Sequence, residues 1–449
     1  MIKYSRLFII IYITFIALGA KAQSTASSST TGSPYSRYGI GDINPLLLPQ
    51  NTAMGGISTA INRINGYYNI NPLNPASYAF INFTTIDAGI YGSFTSLAQQ
   101  PVGQSSNITA SNTAFRLSHI AFALPVTKKS TLSFGLLPYS EMGYNYKTSK
   151  TGYGSGAFAD TNTVNYVYNG SGGLSKAYLG YGIEIKKNLL IGANLSYIFG
   201  NLQQFSSMEI PTLYGFLNSR SETDNHVGGF NYDIGAQYIF DFGALKQKHL
   251  TLAYSSSINT NLSSNTDYVV SRYTISAGEE SPATDSLVNQ KGVSTKIQLP
   301  WINHFGVSYQ YDGKFLVGAD YSIANWSTLT IAGNSQPGLQ NSQTLNVGGQ
   351  FTPDINALNN YFARADYRFG FFTEQTQYNV NNTSVNKFGF TFGLGLPLPP
   401  NLNSFYKINF STELGQQGTL QNNLVREKFI NFRLSFTVND RWFQRYKFE

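Results

Sequence analysis

Residues 189–199 read LLIGANLSYIF. Leu189, Ile191, Ala193, Leu195, Tyr197 and Phe199 fall on one side of an extended chain, with Gly192, Asn194 and Ser196 on the other. Residues 230–240, FNYDIGAQYIF, repeat the pattern: Phe230, Tyr232, Ile234, Ala236, Tyr238 and Phe240 oppose Asn231, Asp233, Gly235 and Gln237. Near the end, Ile430, Phe432, Leu434, Phe436 and Val438 oppose Asn431, Arg433, Ser435 and Thr437. Successive side chains of a strand point to opposite faces, so each stretch has one oily and one wet side.

Fourteen such stretches are expected, at 84–98, 114–126, 131–148, 163–187, 188–208, 226–242, 249–275, 292–312, 314–331, 343–352, 361–378, 386–398, 404–418 and 424–438. A soluble sandwich alternates too. Three features favour a membrane barrel instead. The polar face carries Asp320, Arg364, Asp366, Arg368 and Arg433, which suit a wet lumen, and the apolar face is rich in Tyr and Phe. The connections also alternate. The second, fourth and eighth strands end in TKKS, KKN and YDG-type turns, whereas the first, third, fifth and seventh are followed by roughly a dozen residues or more. Short periplasmic turns, longer extracellular loops and an even strand number are the rule for bacterial outer-membrane barrels. The fold class expected is all-β, a 14-stranded antiparallel transmembrane barrel with an N-terminal plug in its lumen.

Composition agrees. The chain has 449 residues, of which 12% are charged, about half the globular norm of roughly 25%. Aromatics reach 15%, with 31 Tyr, 32 Phe and 42 Gly, and mean hydropathy is −0.18. Past the first residues no apolar run has the length of a membrane helix. The net charge is +7, but the basic residues are scattered, which argues against a nucleic-acid partner. With no cysteine there is no disulfide framework and no thiol chemistry. A closed hydrogen-bonded wall is another way to hold such a chain.

The chain opens MIKYSRLFIIIYITFIALGAKAQ. Lys3 and Arg6, an apolar run over 7–18 and Ala20-Lys21-Ala22 predict a signal peptide over 1–22, with Gln23 as the first mature residue. An uncleaved anchor is the alternative, and the run is short for a membrane helix. Residues 23–33 are a Ser/Thr-rich tether. Residues 34–83, rich in Gly, Asn and Pro, lack a period of two and are expected to form a compact irregular segment. The barrel occupies 84–449. Fourteen strands enclose a lumen wide enough to leak unless something fills it, and 34–83 has the bulk for a plug.

Residues 53–78, AMGGISTAINRINGYYNINPLNPASY, contain Gly55-Gly56 and Asn74-Pro75-Ala76. They resemble the N-terminal hatch of the FadL-type transporters of long-chain fatty acids and other hydrophobic compounds in Gram-negative outer membranes. Ile297-Gln298-Leu299-Pro300 followed by FLVGADYSIANWSTL (315–329) resembles that family's Leu-Pro element and its following hairpin. The resemblance implies a fourteen-stranded barrel in the outer membrane that passively moves a fatty acid or another hydrophobic small molecule. It implies gating by Gly55, Gly56, Asn74, Pro75 and Ala76, and sideways exit to membrane lipid through a gap at a kinked third strand. Pro138 lies mid-strand there, so Leu137, Pro138 and Tyr139 are the gap candidates. A plain bulge is the alternative. Asn-Pro is likewise a common turn starter.

Residues 209–225 are shorter than the family's landing loop, leaving Leu213, Tyr214, Phe216 and Leu217 as an apolar tip or an ordinary packed loop. Between Leu117 and Ile120 the oily face changes phase, which implies a bulge or a lumen-facing basic pair, Arg116 and His119. Arg116 is the candidate contact for a ligand carboxylate.

No cofactor is expected. The four histidines (119, 226, 249 and 304) lack metal-ligand spacing, and no nucleophile, Walker or dinucleotide motif is present, so no enzyme is expected. A second reading is a FadL-like barrel that serves secretion systems as a shuttle or assembly accessory. The basic, aromatic tail 442–449 would then bind a periplasmic partner, or it anchors at the membrane interface.

Overall fold

The computed structural model describes residues 32–64, 67–101, 106–152, 162–213, 215–243, 245–276, 279–399 and 404–442. The signal peptide, nearly all of the tether, Tyr214 and residues 443–449 of the tail lie outside these. Among the described residues the wall has fourteen strands: β1 (Thr84–Gln99), β2 (Ile108–Thr127), β3 (Ser130–Lys150), β4 (Val164–Lys186), β5 (Leu189–Glu209), β6 (Asn218–Phe242), β7 (Lys248–Ser257 with Asn261–Tyr273), β8 (Asp285–Gln298 with Ile302–Tyr311), β9 (Phe315–Ala324), β10 (Ser342–Phe351), β11 (Asp366–Val380), β12 (Thr383–Pro397), β13 (Ser404–Gln417) and β14 (Val425–Asp440). Each pairs antiparallel with its neighbour. β14 returns to β1 from Asp440↔Thr84 to Val425↔Gln99, which closes the barrel.

The alternation has the physical meaning expected. Leu195, Tyr197, Phe230, Phe369, Phe390 and Leu434 are exposed on the outward face, while Asn194, Ser196, Asn231, Asp233, Arg368 and Ser435 are buried on the inward one. Several strands outrun their oily segments. β2, β6 and β8 begin six to eight residues before the expected starts, because polar residues continue the ladder beyond the apolar band.

Two strands expected to be continuous are interrupted at one height. β7 lacks ladder pairing over 258–260 and β8 over 299–301. Pro300 has no N–H to donate, and between the two strands the Leu299 amide bridges the break, to the Thr260 carbonyl at 2.8 Å, while the Ile258 amide turns to the Tyr232 carbonyl at 2.9 Å. β9 stops at Ala324, where the turn Trp326–Thr328 begins. The connections alternate as expected through β8, and then depart from the rule. β11 and β12 are joined by Asn381-Asn382 alone, both at positive φ, on the long-connection side. β10 and β11 are joined by the extended segment 352–365 on the short-turn side.

Residues 32–64 and 67–83 run inside the wall from one mouth to the other. At the long-connection end the Ser33 hydroxyl donates to Glu427 (2.7 Å) and Tyr35 donates to the Val425 carbonyl (2.5 Å). At the short-turn end Thr131 donates to the Ile81 carbonyl (2.7 Å). Against Ile40 of this segment the lumen also holds an apolar core of Met142, Leu174, Ile198, Leu262 and Trp326. It is wet only in part.

Small inward residues make room for the segment. A side chain at Gly192 would collide with the Pro75 carbonyl. Gly192→Val is therefore expected to push Pro75-Ala76 off the wall and destabilise the barrel by about 1–3 kcal/mol. The measurement is the temperature at which heat-modifiable migration is lost. Gly92→Ala, whose new methyl would meet Phe115 only at contact distance, leaves that temperature unchanged.

Candidate functional site

Asn74 precedes the helical turn Pro75–Phe80 and caps it, its side-chain oxygen accepting from the Ala76 amide at 3.1 Å. Its amide nitrogen donates to the carbonyls of Thr59 (2.7 Å) and Tyr254 (3.4 Å). One side chain thus ties the turn, a second part of the segment and β7 together. Asp320 on β9 does similar work, accepting the backbone amides of Ser58 and Thr59 at 2.7 Å each. The Gly55 amide donates to Thr391 on β12 (2.8 Å), and Thr391 donates onward to the Ala53 carbonyl (3.0 Å). Gly55 and Gly56 have φ of 73° and 90°. Gly55 also touches the backbone of Val347 and Phe371, where any side chain would collide. Both conformation and clearance require glycine there.

Between this segment and the wall lies a cavity of about 220 Å³. Leu46, Leu47, Tyr139, Ile302, Trp326 and Phe372 give it an apolar side, and Lys176, Asp233, Asp320, Glu374 and Lys387 a polar one. Gly55 and Gly56 also line it. A second cavity of about 150 Å³ adjoins it, sharing Asn44, Lys387 and Arg433, and reaches Tyr91, Arg116, Glu141 and Glu427. A third, of about 440 Å³, lies among Arg37, Gln204, Thr223 and Gln336 towards the long connections.

Several charges in this interior are paired, as desolvation demands. Lys176 holds Asp233 at 2.8 Å, and Arg433 holds Glu413 at 3.1 Å. Lys387 stands opposite Glu374 on the neighbouring strand, above the rings of Phe372 (5.7 Å) and Phe429 (5.1 Å).

The wall opens beside the second cavity. The β2–β3 ladder ends at Ile120↔Leu136. Beyond it, residues 108–119 pair with β1 alone among the described residues. Pro138 follows on β3, and the register with β4 steps from Pro138↔Ser175 to Ser140↔Leu174, so Tyr139 is bulged. The edge of β3 instead takes the short strand Asp42–Ile43 of the N-terminal segment, through Asp42↔Glu141 and Ile43↔Ser140. Arg116 reaches across the split from β2, meeting Glu141 at 2.6 Å and Asn44 at 2.9 Å, with its guanidinium 4.2 Å from the Tyr91 ring centre. The phase change near Arg116 is a bulge at Ser118, which turns His119 inward onto Asp87 (2.7 Å).

The structure therefore gathers Gly55, Gly56, Tyr139 and Arg116 around two adjoining cavities. Asn74, Pro75 and Ala76 are buried and line none of the three cavities. Leu137 packs with Leu48, Ile70 and Tyr78. Leu213 and Leu217 are exposed, and Phe216 half-buried, in a turn that lines none of these cavities. Asp320, Glu141, Lys387 and Trp326 escaped the sequence reading as site residues. Their only sequence signal was their polarity or bulk within an inward-facing phase. Among the described residues no group of three or more His, Asp or Glu side chains is placed to hold a metal.

A family model described as BamG matches residues 1–449. No curated protein sequence matches. Among solved structures, the Pseudomonas putida toluene transporter TodX is similar over 89% of this chain and 99% of its own, with 14% identity and a TM-score of 0.55. A Pseudomonas aeruginosa FadL homologue is similar over 89% and 99%, with 12% identity and a TM-score of 0.54. CymD, a monoaromatic hydrocarbon channel, is similar over 91% and 100%, with 14% identity and a TM-score of 0.52. At these identities the likeness is one of fold: a closed, FadL-like, fourteen-stranded barrel.

Asp320→Ala removes the acceptor of two buried amides, each worth about 1–3 kcal/mol when orphaned. A cysteine at Ser58 is expected to react with maleimide about tenfold faster or more in that background. Asp320→Asn, which keeps one acceptor oxygen, gives a smaller increase.

Proposed function

The chain belongs to the BamG family, and we propose that it is a passive outer-membrane conduit for hydrophobic or amphiphilic small molecules, of which a long-chain fatty acid is the type. The observation that carries this reading is an amphiphilic cavity that adjoins a wall position without a ladder. The signal peptide directs the chain to the Gram-negative outer membrane, and 34–83 forms a hatch. An amphiphile enters from the long-connection mouth. Its tail lies against Leu46, Leu47, Trp326 and Phe372, and its polar end lies towards Lys387. Arg116, already held by Glu141, receives a ligand carboxylate only if that ion pair opens. Movement of the segment around Gly55-Gly56 and Asn74-Pro75-Ala76 connects the cavities. The ligand leaves sideways between Leu137–Tyr139 of β3 and the free edge of β2, where Phe115 is 71% exposed. No cofactor, bond-making step or ATP is involved. The names of TodX and CymD, a toluene transporter and a hydrocarbon channel, fit this class of cargo. The turn carrying Leu213, Phe216 and Leu217 is a weaker landing site than the mouth cavity beside Arg37, which is lined by inward residues of the wall and by the N-terminal segment.

A second reading, an accessory to secretion or to outer-membrane assembly, is favoured by one observation. Buried and half-buried hydrogen bonds tie the N-terminal segment to β5, β6, β7, β8, β9 and β12 at once. A lumen filled that firmly suits a barrel that works through its surfaces and its partners.

Uptake of labelled oleate and of toluene, in cells lacking the chain and complemented with it, separates the two. The intact chain is expected to restore uptake. Asn74→Ala is expected to change the rate by about tenfold, because it frees groups worth about 1 kcal/mol each, while the barrel stays heat-modifiable. Equal uptake with and without the chain, alongside loss of other outer-membrane barrels when it is absent, replaces transport with the accessory reading.

A further inference from the structure

The connection between β10 and β11 breaks the pattern of its own mouth. The other connections there span 128–129, 187–188, 243–247, 312–314 and 398–403, whereas this one spans 352–365. It is a built loop. The Asp354 amide donates to the Ala363 carbonyl (2.8 Å), and the Thr352 amide to the Lys314 carbonyl (2.7 Å). The Lys314 ammonium returns a bond to the Pro353 carbonyl (3.2 Å), and the Ala363 amide donates to the Asn360 side chain (3.3 Å).

This ordered frame presents apolar side chains to the outside. Leu358 is 93% exposed, Phe362 68%, and Tyr361 is also exposed. A folded loop has no internal reason to hold them there, and such a patch marks a contact surface. Its position says with what. The Tyr367 hydroxyl donates to the Phe362 carbonyl at 3.1 Å. Tyr367 lies in the outward phase of β11 with Phe369, and it pairs across the ladder with Phe351 of β10. Phe351 and Phe369 are both exposed on the outward face. The loop's apolar residues therefore continue the lipid-facing surface at its short-turn border. Two cations belong to the same frame: Lys314, and Arg364 at 5.6 Å from the Tyr361 ring centre. Aromatic and apolar residues flanked by Lys and Arg are the composition that settles at a bilayer interface, with the cations at the phosphate level.

We propose that 352–365 is a lipid-anchoring foot that inserts Leu358, Tyr361 and Phe362 into the interfacial layer of the leaflet on the short-turn side. The partner is the phospholipid surface itself. The inference rests on the membrane-barrel reading but not on transport.

The chain has no cysteine, so single cysteines report cleanly. Leu358→Cys and Phe362→Cys, labelled with bimane, are reconstituted in phosphatidylethanolamine–phosphatidylglycerol vesicles carrying phospholipid brominated near the headgroup end of the chains. Phe369→Cys is the lipid-facing reference, and Lys128→Cys, on a tight turn of the same mouth, the aqueous one. Lipid quenching at 358 and 362 is expected to lie within about a factor of two of that at 369, and their reaction with a charged maleimide about tenfold slower than at 128. Quenching at 369 with none at 358 or 362 overturns the foot alone and leaves the barrel reading standing. Quenching at none of the three overturns both.

Discussion

A peptide group in hydrocarbon has no water to bond, so every N–H and C=O that crosses the apolar band must find a partner within the protein. The closing ladder between β14 and β1 meets that requirement for this chain. It joins the first wall strand to the last across more than three hundred residues of sequence. Once the ring is closed, the two-residue side-chain period assigns every residue of the wall to lipid or to lumen. The outward Phe and Leu and the inward Gly, Asn and Ser are consequences of that one assignment.

The inward assignment then makes the N-terminal segment possible. Glycine on the lumen face lets backbone approach backbone, as at Gly192 against Pro75. Inward Asp320, Thr391 and Ser308 supply partners for amides and carbonyls that have no ladder of their own. An irregular chain is tolerated at membrane depth only on such terms. Where the partners thin out, the lumen is open, and the cavities lie there.

The same constraint locates the weak place of the wall. Pro138 offers no N–H, β3 turns from β2 beyond Leu136, and the strand Asp42–Ile43 takes up part of the vacated edge. The Arg116–Glu141 pair spans what remains. Here side chains and the N-terminal segment replace the neighbour's backbone. Elsewhere the apolar residues that break the inside–outside order gather into the lumen core around Met142 and Trp326 or stand out on the 352–365 loop.

The alternation in residues such as 189–199 and 430–438 determined the strand number, the two faces of the wall and the closed architecture, because period and face are local properties of an extended chain; Arg364, expected on the lumen face, stands instead in the turn Phe362–Arg364. Pro138 was legible as a special position for the same reason, since a missing donor belongs to a single residue, whereas the glycine pair at 55–56 stood out only through the resemblance to a hatch. Only the tertiary structure decided which inward groups meet. Glu141 lies 25 residues from Arg116 and Asp320 more than 260 from Ser58, and no local period encodes such pairings. The matched breaks in β7 and β8 likewise required both strands, since Pro300 is visible in the sequence but the gap at 258–260 exists only opposite it. Register and closure bring distant residues to one height in the barrel, and the cavities, the split in the wall and the lipid-side loop are all defined at that level.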